Sequence, residues 1–167
     1  MMMSPFEISL PNSNGKGTSP ATGQCKKDHP MPVPFHLAFH VLNLDEAREF
    51  YSGALGAVEG RSTDTWVDFD FFGHQLSLHL GEPFANAATG KVGGHLVPMP
   101  HFGVVLPLDA WNVLAGRLEE RQTDFIIAPS VRFKGEAGEQ WAMFFRDPSG
   151  NPIEVKGFAA TSGIFAS

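Results

Sequence analysis

The sequence predicts an α+β fold of two βαβββ modules that form a cupped mixed sheet around a central metal cavity. Three observations carry this expectation. A histidine opens a short apolar strand twice, at Pro34-Phe35-His36-Leu37-Ala38-Phe39-His40-Val41 and at Pro100-His101-Phe102-Gly103-Val104-Val105-Leu106. Each opening is followed by one segment of helical periodicity and three of strand periodicity, in the same order, as in a duplicated supersecondary unit. Glu154 stands in the closing strand of the second copy. Two imidazoles and a carboxylate delivered by different strands suit a divalent ion with open coordination positions.

The elements follow one by one. Residues 35–42 read as a strand, and residues 45–55 carry Ala47, Phe50, Tyr51 and Leu55 at helical spacing before Gly56, a residue suited to a helix C-cap. Strands are expected at 57–62, 65–72 and 74–80, the last two joined by a tight turn at Gly73. Residues 81–99, rich in Gly, Ala and Pro, read as a connecting loop between modules 34–80 and 100–159. The second module repeats the order with strand 100–107, helix 109–121 bearing Trp111, Leu114 and Leu118 on one face, and strands 124–130, 139–146 and 152–158. Residues 1–33 are rich in Ser, Pro, Gly, Asn and Lys without periodicity and read as a flexible extension. Residues 160–167 read as a C-terminal tail.

Composition narrows the function classes. The chain has 167 residues, 43% of them hydrophobic, which fits one globular domain with a real core. A net charge of -6 with scattered basic residues offers no electrostatic footprint for nucleic acid. The single cysteine, Cys25, excludes an internal disulfide and a thiolate cluster. No apolar run approaches the ~20 residues of a membrane span, and the first thirty residues lack a secretory pattern. The expectation is a cytoplasmic protein that meets neither membrane nor nucleic acid.

Strand alternation sorts the polar candidates by face. His36, Ala38 and His40 share one face of the first strand; His101, Gly103 and Val105 share one on the fifth; Pro152, Glu154 and Lys156 share one on the eighth. The small Ala38 and Gly103 leave room for a ligand beside the two histidines. His40 lies ~13 Å along the strand from His36, too far for the same ion, and reads as structural. Gln75, Ser77 and His79 share a face of the fourth strand, which makes His79 a candidate fourth ligand or acid/base. Arg132, Glu139 and Gln140 flank the sixth and seventh strands, where groups that recognise substrate would project. Phe69, Phe71, Phe144 and Phe145 read as core or as an apolar cavity wall.

At this point the chain resembles a known family. His36 with its apolar strand, Leu44-Asp45, Phe50-Tyr51 and Leu55-Gly56 look like the opening module of the vicinal oxygen chelate superfamily, which includes glyoxalase I, extradiol dioxygenases and bleomycin or fosfomycin resistance proteins. Asp147-Pro148-Ser149-Gly150-Asn151-Pro152-Ile153-Glu154 resembles the closing segment of that superfamily, whose final Glu is a metal ligand. The resemblance spans about residues 34 to 159. It implies metal binding by His36, His101 and Glu154, the trio the strand faces select. Glyoxalase-type members add a fourth ligand, often Glu, at the place that Ser77 holds here. Extradiol dioxygenases usually place a His and a Tyr just upstream of the closing segment; Phe144 stands at the Tyr position, and residues 132–153 contain no His.

These features set the functional expectation. A dioxygenase-like enzyme would chelate vicinal oxygens of a small-molecule substrate on a 2-His-1-Glu site, with Fe(II) favoured over Mn(II), Zn(II) or Ni(II). His79 would be catalytic, and Arg132, Gln140 and Phe144 would contact the substrate. A glyoxalase-type isomerase or lyase and a ligand-sequestering protein of the resistance type are the alternatives. The modules can pair within one chain or across a homodimer.

Overall fold

The computed structural model describes residues 33–92, 94–136, 138–160 and 164. The expected extension, Cys25 and most of the expected tail lie outside the described residues. Within them the chain runs β1 (His36–Val41), α1 (Leu44–Arg48) continuing into a π-helical stretch (Glu49–Ala54), β2 (Val58–Ser62), β3 (Trp66–Phe71), β4 (His74–Leu80), β5 (Ala87–Val92), β6 (His95–Met99), β7 (Phe102–Pro107), α2 (Leu108–Glu120), β8 (Phe125–Arg132), β9 (Gln140–Arg146) and β10 (Pro152–Phe158). The two expected βαβββ modules are both present. One forms a sheet of order β1-β4-β3-β2, the other a sheet of order β7-β10-β9-β8. In each, the first and last strands pair in parallel and the remainder pair antiparallel.

Local chemistry sets the element ends. The Asn43 side chain accepts from the backbone N–H groups of Asp45 and Glu46 and starts α1. Gly56, at φ +79°, turns the chain out of the helix, a conformation that costs a residue without Cβ little.

Alternation then divides each sheet. Val67, Phe69, Phe71, Leu76 and Leu78 of the first module, and Val104, Leu106, Met143, Phe145, Ile153 and Val155 of the second, turn inward to one shared core with Tyr51, Trp111, Leu114 and Leu118. The residues between them turn to the opposite face, where the candidate ligands lie. The helix α2 closes on its own sheet at Gly157, where a Cβ would come within 2.7 Å of the Trp111 ring. The Trp111 indole N–H also donates to the Val155 carbonyl at 3.0 Å.

The modules are joined through the segment before β10. Asp147, 4% exposed, accepts on Oδ2 from the Tyr51 hydroxyl at 2.9 Å and the Asn151 side-chain amide at 2.9 Å. Its Oδ1 accepts from the backbone N–H groups of Ser149 and Asn151. The Asn151 amide also reaches the His40 carbonyl at 3.1 Å, and Ser149 Oγ accepts from the Leu42 N–H at 2.9 Å. The first helix and the end of β1 are thereby tied to the turn that launches β10. Burial, and then Asp147 beside it, pushes the Tyr51 phenol well above its ordinary pKa; burial also raises Asp147, against the hydrogen bonds it accepts.

The structure differs from the expectation in the connecting segment. Residues 81–99 contain an antiparallel pair, β5 with β6, rather than an unstructured loop. Val97 is fully buried there, and Arg146 donates to the Asn86 side-chain oxygen at 3.0 Å. The Gly93-Gly94 dipeptide is a hairpin signal in the sequence that the Pro- and Ala-rich composition obscured. In addition, no helix among the described residues is long and apolar enough to cross a membrane.

Replacing Tyr51 by Phe removes a buried donor from an ionised acceptor. The expected loss is about 2 kcal/mol of unfolding free energy, measured by chemical denaturation.

Candidate functional site

In the second module, His101 and Glu154 converge. His101 Nδ1 lies 2.9 Å from the Pro98 carbonyl oxygen. A carbonyl only accepts, so Nδ1 carries a proton, and in the neutral imidazole Nε2 then presents a lone pair. That lone pair faces Glu154 Oε2 at 3.4 Å. With that lone pair free the imidazole and the carboxylate fit a divalent metal between or beside them, and with Nε2 protonated they form an ion pair. The Pro98 carbonyl supplies the outer partner that ligating histidines commonly have. Lys156 Nζ stands 3.5 Å from the same carboxylate oxygen and offsets part of its charge. Phe144, 1% exposed and opposite Glu154 in the strand register, sets its ring edge-on to His101 with 4.8 Å between centroids. It therefore packs against the imidazole.

Gly103 has a different role from the expected one. It pairs with Glu154 in the parallel register of β7 and β10, and a Cβ there would fall inside the Glu154 backbone. The glycine lets the two strands approach and does not open space for a ligand.

The first module carries the counterpart of this arrangement. Leu37 pairs with Leu76 and Ala38 with Ser77, just as Phe102 pairs with Ile153 and Gly103 with Glu154. His36 thus matches His101, Ser77 matches Glu154 and His79 matches Lys156. On the neighbouring strand Asp68 lies opposite Ser77, as Phe144 lies opposite Glu154. Ser77 Oγ donates to Asp68 Oδ1 at 2.5 Å, while Arg61 at 3.0 Å and the Gln75 amide at 3.2 Å donate to Oδ2. Burial acts to raise the Asp68 pKa, but these three hydrogen bonds and the Arg61 charge outweigh it and leave the carboxyl below its ordinary value. The first module therefore keeps a carboxylate on the site face, one strand away from the expected position. Sequence reasoning missed Asp68, although its alternation with Val67, Phe69 and Phe71 places it on the polar face.

The modules share a cavity of about 430 Å³ along β1 and the start of β7. Phe39, Phe84 and Phe102 supply apolar wall, and His40, His79 and His101 supply three imidazoles. The rings of Phe39 and Phe102 are 4.9 Å apart across the junction. His79 lines this cavity. His40 joins it there, paired with it in register and with Nδ1 3.1 Å from the Glu82 carbonyl oxygen, so His40 has a place beyond the structural one expected.

His36 stands apart. It is exposed at the start of β1, and among the described residues no three His, Cys, Asp or Glu side chains form a group that could hold a metal within one chain. The remaining candidates sit further along the second sheet. Arg132 pairs with Gln140 in register, with its guanidinium 5.1 Å from the centre of the Phe133 ring. Glu139 accepts from the Gly135 N–H at 2.6 Å and holds the turn between β8 and β9.

Two outcomes follow from this geometry. Because the folded state lowers the Asp68 pKa, its stabilisation is fully present above the ordinary carboxylate range and is lost as pH falls through the lowered value. Thermal midpoints recorded from pH 7 down to pH 3 should fall less steeply for Asp68→Asn than for the wild type. Gly103→Ala should lose about 1–3 kcal/mol or more in denaturant titration, since backbone must move to admit the methyl group.

Comparison with known proteins follows the same architecture. The family described as Glyoxalase/Bleomycin resistance protein/Dioxygenase superfamily matches residues 34–155. A glyoxalase/bleomycin resistance protein/dioxygenase from Alicyclobacillus acidocaldarius is 30% identical, with a TM-score of 0.65, covering 80% of this chain and 96% of its own. A fosfomycin resistance protein, FosX, from Mesorhizobium loti shares the fold at 14% identity and a TM-score of 0.56, over 81% of this chain and 98% of its own. A virulence protein from Salmonella typhimurium does so at 19% identity and a TM-score of 0.52, over 77% and 98%. No curated protein matches the chain.

Proposed function

The chain belongs to the Glyoxalase/Bleomycin resistance protein/Dioxygenase superfamily, and from that premise we propose that it is a metal-dependent enzyme of the redox-neutral, glyoxalase type. Its substrate would be a small molecule with adjacent oxygens. The observation that carries this reading is the approach of His101 Nε2 to Glu154 Oε2, at 3.4 Å, from matched strands of the second module. A divalent ion bound there would act as a Lewis acid on the chelated oxygens.

The chain's own residues favour proton transfer over ring cleavage. Phe144, at the position where extradiol enzymes usually carry Tyr, is buried against His101 and has no proton to give. The cavity instead offers the imidazoles of His40, His79 and His101, and His79 is the candidate base that moves a proton between adjacent carbons. The apolar ring walls exclude water from the transfer and orient the substrate's carbon skeleton. Ser77, with its proton directed to Asp68, turns lone pairs outward and would accept a hydrogen bond from bound substrate or water.

The third ligand we assign to His36 of a second copy. Supporting this are its match to His101 in register and its exposure at the sheet edge, outside any three-ligand group in its own chain. Redox-neutral chemistry is best served by Zn(II), Ni(II) or Mn(II), in place of the Fe(II) that a dioxygenase would use.

A second reading draws on one specific observation. The Lys156–Glu154 contact at 3.5 Å already offsets the carboxylate charge, as a ligand-sequestering protein without metal would need. Elemental analysis of protein purified without chelator or affinity tag separates the two. The enzyme reading predicts about one zinc, nickel or manganese ion per chain in the wild type, and an occupancy at least tenfold lower in His101→Ala and Glu154→Ala. Stoichiometric iron returns the dioxygenase reading, and wild-type protein without metal favours sequestration.

A further inference from the structure

Among the described residues Lys156 is the lysine that pairs with Glu154, and its surroundings give it freedom to act. It shares the Glu154 face of β10, two residues further along, a rise of about 6.6 Å. Its strand neighbours are Val105 on one side and Ala142 on the other, so a small methyl group flanks it toward the centre of the sheet. The side chain is 36% exposed, and among the described residues its ion-pair partner is Glu154. A lysine ammonium on a flexible four-carbon stem can leave that partner at small cost.

Charge determines where it goes. A divalent ion at His101 and Glu154 would engage the carboxylate and repel an ammonium 3.5 Å from it. With a metal bound, His101 would be a neutral ligand, and the Asp68 carboxylate is already matched by Arg61 at 3.0 Å. The ion and Lys156 together then exceed Glu154 by two positive charges, which a neutral diol or ketone would leave uncompensated.

Resting on the metal reading above, we propose that Lys156 selects substrates carrying an anionic group, such as a carboxylate, about 5–7 Å from their chelating oxygens. The substrate class is then an oxygenated organic acid, with its vicinal oxygens over His101 and Glu154 and its acid group on the ammonium. Lys156 is thus a specificity determinant and takes no proton in the reaction.

The test uses Zn(II)-loaded full-length protein and two hydroxamates that chelate through adjacent oxygens. Acetohydroxamate ends in a methyl group, and succinic monohydroxamate ends in a carboxylate at the required separation. By titration calorimetry the wild type should bind the second about tenfold more tightly. Lys156→Met and Lys156→Gln should bind the two equally, whereas Lys156→Arg should keep the preference. Both neutral variants should also bind Zn(II) itself about threefold or more tightly, because a like charge has gone; a merely structural lysine would not produce that gain. Zn(II)-loaded wild type with no preference, or neutral variants that retain one, overturns this inference and leaves the metal reading standing. Wild type that takes up none of Zn(II), Ni(II) and Mn(II) in dialysis overturns both.

Discussion

The buried carboxylate of Asp147 is the joint on which the rest of the molecule depends. It gathers donors from the first helix, through Tyr51, and from its own turn, through Ser149 and Asn151. Each donor fixes a different part of the chain relative to β10. Leaving any of them unpaired in the core would cost more than the bond contributes when formed. Asn151 extends the joint to the end of β1, and its side-chain oxygen is the one buried side-chain acceptor without a partner among the described residues. Three residues after this turn comes Glu154. The placement of the candidate ligand is therefore inherited from a hydrogen-bond cluster that takes no part in chemistry.

Duplication supplies the site with two similar halves, and substitution has made them unequal. The parallel register gives Ser77 and Glu154 equivalent places, as it does His79 and Lys156. In the second half the carboxylate lies beside an imidazole nitrogen and an ammonium. In the first half the carboxylate has moved to Asp68 on β3 and is satisfied by Ser77, Gln75 and Arg61. A carboxylate so fully hydrogen-bonded is held ionised and serves to orient Ser77. One half therefore groups an imidazole, a carboxylate and an ammonium, the other holds a carboxylate engaged by three donors, and a backbone of the same shape supports both.

Most of the architecture was legible in the sequence because period-2 alternation and a repeated order of elements are strong signals. Strand β10 falls at 152–158 as expected, and Gly56 ends the first helix as expected. What escaped reading depends on neighbours in space. Asp68 gained its role only through the pairing of β3 with β4, and Lys156 only through a side chain bending back two residues. Gly103 looked like vacant space, yet its missing Cβ is required by the backbone beside it. His40 was set aside by its distance along the strand from His36, but the cavity it lines runs across strands to His79 and His101. The hairpin within 81–99 was hidden by composition typical of loops. The grouping of His101 with Glu154 could be anticipated from matched strands, while the separate position of His36 could not.

The central claim is that His101 and Glu154 form the seat of a metal and that His36 of a second copy completes it. The most direct measurement is complementation: His36→Ala and Glu154→Ala proteins are unfolded together, refolded as a mixture and analysed for bound metal. A seat built across two copies predicts that each mixed pair regains one intact trio, so that the mixture holds metal where neither variant does alone. A mixture as empty as its two components would contradict the account.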